Sequence, residues 1–211
     1  YYGMRGLLVL FMTASIADGG LNYSNISASA IYGIYASSVY LLALPGGWIG
    51  DRLLGQQKAI FYGGIIITLG HFILAINFTS TFFFGLTFVV LGTGLLKPNI
   101  SALVGELYEK KEELKQSGFT LFYMAINIGS VLGFFICGYL GEKVGWHYGF
   151  SAAGFGMALG IIRYKYSLPI LGNVGLKPNL KITHLQKRRD IRLVILSLLI
   201  VFTILFFSIS H

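Results

Sequence analysis

Two cations stand where cations are costly. Arg5 and Lys97 lie inside apolar stretches, and a charged side chain at bilayer depth costs roughly 2.5 to 3.5 kcal/mol even on lenient insertion scales. No carboxylate within those stretches lies deep enough to offset that cost. Asp18, Asp51 and Glu106 fall near the ends of spans and the other acids lie in loops. The partner is therefore a group outside this chain, or a bound anion. Lys97 directly precedes Pro98, whose missing N–H deprives the Gly94 carbonyl of its helical donor and favours a kink. A kinked, cation-bearing helix beside a cavity suits an anion site. For Arg5 the competing account is snorkelling to the cytoplasmic interface.

Aromatic and polar residues gather near these cations in helical register. Tyr1, Tyr2 and Arg5 share one face by their three- and four-residue spacing. Phenol rings and a guanidinium in one volume suit a carboxylate attached to an apolar or aromatic group; an interfacial aromatic belt is the alternative, and Tyr40 poses the same choice. Tyr123, Asn127 and Ser130 line one face further on, with Gly129 and Gly133 as a small-xxx-small pair for close helix packing. Asn127 suits either an interhelical hydrogen bond or a ligand contact. Asp51 and Arg52, flanked by Gly50 and Gly55, suit charge contacts that form in one state and break in another, or a solvated turn. His71 has no metal-ligand spacing around it and reads as a hydrogen-bonded packing residue. Cys137, the one cysteine, reads as a small packing residue in an apolar run.

The elements that must carry these residues are membrane helices. Of 211 residues 55% are apolar and 11% charged, and the apolar ones form runs near twenty long rather than the stripes of a soluble domain. Seven spans are predicted, at about 1–17, 26–50, 58–77, 81–108, 117–140, 148–169 and 191–210. Tyr1 stands inside the first span, which is short, so the chain is expected to lack its true start. A basic stretch from Gly172 to Asp190, containing Pro178, reads as a linker between two bundles. The segment Glu106 to Lys115 reads as a solvated helix end or loop.

The net charge of +8 does not imply nucleic acid, because the basic residues sit in short connections. Apart from Arg5 and Lys97, all of them but Lys143 fall after spans two, four and six, which places those loops and the chain's start in the cytoplasm. An internal repeat supports this topology: Gly47-Trp-Ile-Gly-Asp-Arg52 closes span two and Gly138-Tyr-Leu-Gly-Glu-Lys143 closes span five. Three spans separate the copies, as in an inverted three-plus-three repeat within a six-helix transporter half.

Taken in order, Tyr1-Tyr-Gly-Met-Arg5, Val39-Tyr-Leu, Gly46-Gly-Trp-Ile-Gly-Asp-Arg52 and Gly92-Thr-Gly-Leu-Leu-Lys-Pro-Asn99 resemble the proton-dependent oligopeptide transporters. Gly118-Phe-Thr-Leu-Phe-Tyr-Met-Ala-Ile-Asn-Ile-Gly129 looks like that family's fifth-helix signature, and Gly145-Trp-His-Tyr-Gly-Phe150 resembles its entry to the sixth. The resemblance runs to about Tyr166.

It implies an all-α major facilitator fold: an N-terminal six-helix bundle at 1–170, a cytoplasmic linker at 171–190, and a seventh helix at 191–211 opening a second bundle outside this chain. It also implies proton-coupled symport of di- and tripeptides by alternating access, in a bacterial inner membrane, with protons as the coupling ion and no other cofactor. Arg5 and Lys97 then correspond to cations near the peptide carboxylate. Tyr1, Tyr2, Tyr40 and Asn127 correspond to pocket positions, and Asp51, Arg52 and Pro98 to conformational coupling.

The family's Glu-x-x-Glu-Arg motif would precede Tyr1 and is absent, as is the second bundle, so this stretch alone is expected neither to close a cavity nor to couple protons. A relative carrying nitrate or another organic anion, and a non-transporting membrane scaffold, remain as alternatives. No nucleophile-elbow, zinc or paired-carboxylate spacing supports an enzyme.

Overall fold

The computed structural model describes all residues except 77–78, 110, 179–182, 184, 187 and 197–211. The described residues form helices α1 (Tyr2–Thr13), α2 (Asn25–Ile49), α3 (Gln56–Leu74), α4 (Thr79–Leu107), α5 (Glu112–Tyr139) and α6 (Trp146–Leu171), and a further helical stretch at 188–196, α7. The remainder of the predicted seventh span lies outside the described residues. By length and composition, α2, α3, α4 and α5 are each apolar enough to cross a membrane, whereas α1 is a shorter apolar helix. The predicted sixth span exists as a helix, but its many small and polar residues with Arg163 and Lys165 dilute its apolar run.

Local chemistry explains where the helices begin and end. α1 stops at Thr13, short of the predicted 17, because Ala14 is extended and Ser15 and Asp18 close a turn on each other's polar groups. Ser24 caps α2 by accepting the Ser27 amide at 3.1 Å. α5 starts five residues before the predicted 117, since Glu112 and Glu113 in its first turn favour the positive end of the helix dipole.

The two repeated segments adopt the same local conformation. α2 runs on into a π-helical turn at Gly50–Leu54 and α5 into another at Leu140–Val144. Each ends at a glycine of positive φ, Gly55 and Gly145. π-turns inside helices often mark functional positions.

Small residues bring the helices together. Gly63 faces Gly92 and Gly70 faces Gly85 across α3 and α4, and Gly46 meets Gly94 across α2 and α4. Gly133 of α5 lies against Gly3 of α1, but Gly129 has open space where a side chain would project. Only one member of the expected glycine pair therefore packs, because α1 meets α5 along Gly133, Phe134 and Cys137, beyond Gly129. The core centres on Met4, Leu7, Leu8, Phe11 and Met12 of α1. The Phe11 ring packs on Phe82, Phe150 and Trp146, and the Trp146 indole donates to the Asp18 carbonyl at 2.9 Å.

His71 is fully buried, yet neither ring nitrogen has a hydrogen-bond partner among the described residues. The expectation of a hydrogen-bonded histidine is corrected: burial among the packed helices leaves both nitrogens without a partner among the described residues. Glu106 departs from a merely solvated helix end, accepting the Gln56 amide at 2.8 Å.

Candidate functional site

Arg5 is held by tyrosines rather than by an acid. Its Nη2 donates to the Tyr32 hydroxyl at 2.8 Å. The guanidinium carbon stands 5.8 Å, 5.9 Å and 5.6 Å from the ring centres of Tyr1, Tyr2 and Tyr32, within cation–π range. Tyr1 and Tyr2 meet edge to face, and the Tyr35 hydroxyl donates to that of Tyr1 at 3.1 Å. The cage thus joins one turn of α1 to two tyrosines of α2. Arg5 Nε is buried without a hydrogen-bond partner, so the guanidinium keeps donor capacity in hand.

Lys97 forms a second centre. Its ammonium lies 4.9 Å from the ring centre of Tyr40, joining α4 to α2. Among the described residues neither Arg5 nor Lys97 has a carboxylate within ion-pair distance. α4 continues through Pro98 as a helix, and a Cβ added at Gly47 would meet the Pro98 ring at ordinary contact distance. The next residue, Asn99, is 1% exposed and donates to the carbonyls of Gly46 at 2.9 Å and Leu95 at 2.7 Å.

Asn127 is exposed on α5 and makes no hydrogen bond among the described residues, so the structure does not bring it to either cation. It stands on an open face with Tyr123, Ile128 and Leu132, just as Tyr40 stands on an open face of α2 with Leu41 and Leu44. Asp51 likewise has no ion pair among the described residues. Arg52 does: its Nε is 3.3 Å from Asp190, and its guanidinium carbon is 5.6 Å from the Trp48 ring centre.

Tyr32, Tyr35 and Asp190 were not singled out by sequence reasoning. The signal for the first two was available, since Tyr32 and Tyr35 stand three apart in the span that holds Tyr40. For Asp190 there was none, because it lies among basic residues at the end of a connection.

In chemical terms the arrangement offers two cations that lack acidic partners among the described residues, each against aromatic faces and each on a different helix packed on α2. It can bind an anionic group and place an apolar or aromatic group beside it.

Comparisons with known proteins bear on the family and the fold. Residues 57–209 match the model of the POT family. The chain is 46% identical over 175 residues to the peptide transporter YePEPT of Yersinia enterocolitica, an alignment covering 81% of this chain and 34% of that protein. It is 47% identical over 169 residues to a di-/tripeptide transporter of Lactococcus lactis, covering 79% of this chain and 34% of that one. The chain therefore spans about a third of the length of these relatives.

Among solved structures, the peptide transporter POT in complex with sulfate superposes with a TM-score of 0.91 at 36% identity, covering all of this chain and 43% of that one. A POT family transporter in complex with 5-aminolevulinic acid gives 0.89 at 32% identity, with 100% and 44% covered. The helical bundle, the family match, these relatives and these superpositions lead to one assignment: the chain belongs to the POT family of transporters.

Proposed function

We propose that this chain is the N-terminal part of a proton-coupled symporter of di- and tripeptides working by alternating access. The observation that carries the reading is the pair of cations inside apolar helices, Arg5 and Lys97, held against tyrosine rings with no carboxylate within ion-pair distance among the described residues. An anion must complete such sites, and a peptide's carboxylate, with its side chain laid against the rings, has the chemistry to do so. The peptide's amino end and the proton site fall to the second bundle and to acidic residues outside this chain.

In this reading residues 1–170 form the first bundle and 171–190 a cytoplasmic connection, and 191–211 open the second bundle. The open faces of α2 and α5, with Tyr40 and Asn127 on them, look onto the central cavity. The start of α1 and the basic connection lie in the cytoplasm, in a plasma membrane that is the inner membrane of a two-membrane cell. Asp51, Arg52 and Pro98 transmit helix movement.

The deciding measurement is uptake of labelled dialanine by the full-length protein in proteoliposomes under an inward proton gradient. Uptake that depends on the gradient and is competed by tripeptides but not by nitrate is expected. Nitrate-driven competition without peptide uptake would replace this reading with anion transport, and no uptake of either would remove the transport function.

A smaller effect is expected of Tyr32→Phe. Losing a hydrogen bond to a charged group costs about 1.5 kcal/mol, here offset in part by a guanidinium left free to hydrogen-bond the ligand. Peptide affinity, read by competition binding, should fall by roughly threefold to tenfold with the maximal rate nearly unchanged.

A further inference from the structure

The segment following α6 turns back under the bundle and is fastened in two chemically different ways. The first fastening is neutral. The Gln57 side chain donates to the carbonyls of Gly172 at 3.1 Å and Val174 at 2.7 Å, and its backbone N–H donates to Gly175 at 2.9 Å. Gln57 is 4% exposed, and Tyr164 of α6 donates to its carbonyl. At Gly55 a Cβ would come within 2.7 Å of the Leu176 carbonyl oxygen, so the segment lies directly on the π-turn that carries Arg52.

The second fastening is ionic. Both ion pairs among the described residues end on Asp190 in α7, from Arg52 at 3.3 Å and from its neighbour Arg189 at 3.5 Å. Asp190 is 1% exposed, yet neither carboxylate oxygen has an aligned hydrogen bond. A buried ion pair so poorly satisfied stabilises a fold little compared with apolar packing, and the best-attested use of such pairs is to select one arrangement over another. Among the described residues Arg52 is the only ion-pair partner that ties Asp190 to the first bundle, whereas Gln57 holds its segment by several bonds independent of charge.

The geometry points to Asp190 as a latch: it fastens the foot of α7 to the Arg52 turn in the arrangement seen here and lets go when the two halves of the transporter reorient. This deepens the alternating-access reading and rests on it. Charge contacts that exist in one of two discrete packings are a common means of switching, and exchanging this one leaves the Gln57 fastening in place as a tether.

The test uses the full-length protein in lipid nanodiscs with spin labels at the exposed positions Leu107 of α4 and Leu196 of α7. Asp190→Asn and Arg52→Gln should each move a large share of the wild-type distance population to a second distance. Each should also lower proton-driven uptake by about tenfold, an ordinary coupling strength, with peptide binding kept within about twofold. The exchanged pair, Arg52→Asp with Asp190→Arg, should restore both. Wild-type distances in Asp190→Asn, or an exchanged pair no better than the single variants, would overturn the latch. Failure of both Asp190→Asn and the exchanged pair to accumulate would make the carboxylate a folding group and overturn it equally. The distance measurement needs no substrate, so it judges the latch even if peptide uptake itself fails.

Discussion

Proton-driven dipeptide uptake by the full-length protein is expected to fall at least a hundredfold in Lys97→Ala and in Arg5→Ala, with both variants inserted into the membrane as well as the wild type. A cation that pairs with a buried carboxylate contributes about 3 kcal/mol by truncation, and each 1.4 kcal/mol is tenfold. The insertion control separates binding from folding. A charge inside a span raises insertion cost by roughly 2.5 to 3.5 kcal/mol, so removing it should leave expression unchanged or higher. Lys97 gives the cleaner test, since among the described residues its ammonium makes no hydrogen bond or ion pair and stands only against the Tyr40 ring. Arg5→Ala also strands the Tyr32 hydroxyl and should lower thermal stability slightly. Arg5→Lys should recover little, because an ammonium cannot present two parallel donors to a carboxylate while bonded to Tyr32. Normal uptake by both alanine variants would remove these residues from the site.

Gly46→Ala is the second large effect, and it concerns the frame rather than the ligand. A Cβ on Gly46 would overlap the Gly94 carbonyl, and the α-carbon of Leu95 lies at the edge of contact on the same side. Backbone atoms cannot yield as a flexible side chain can, so α2 and α4 must part. Asn99 bridges the same crossing through the Gly46 carbonyl, and a Cβ on Gly50 would overlap its carboxamide. Parting the helices would therefore cost packing and a buried hydrogen bond together, about 3 kcal/mol or more, at the upper end of overpacking penalties. Melting of the purified protein in detergent should shift down clearly, and Gly33→Ala, where nothing lies within 4 Å, serves as the control. Equal melting temperatures for Gly46→Ala and Gly33→Ala would show that the crossing is not rigid. Because Tyr40 and Lys97 are carried by these two helices, Gly46→Ala should also disturb their contact.

What the sequence determined by itself is whatever depends on local sums. Hydropathy adds along a run, so most spans were placed to within a few residues. The family emerged from ordered motifs, and the cost of an intramembrane cation needs no neighbour to be evaluated, so Arg5 and Lys97 stood out at once. The errors at span ends came from capping: the Ser15 and Asp18 turn shortens α1, and the acidic first turn lengthens α5.

Only the tertiary structure decided which residues meet across helices. Arg5 reaches Tyr32, 27 positions away, and Arg52 reaches Asp190, because helix rotation and crossing are set by glycine contacts such as Gly46 on Gly94 and Gly3 on Gly133. One residue's shift turns a helix face by about 100°, since a turn takes 3.6 residues, and nothing in local pattern chooses among such rotations. For the same reason Gly129 and His71 could not be read correctly in isolation: the first faces open space and the second is buried without a hydrogen-bond partner among the described residues, and both outcomes belong to the packing of neighbouring helices.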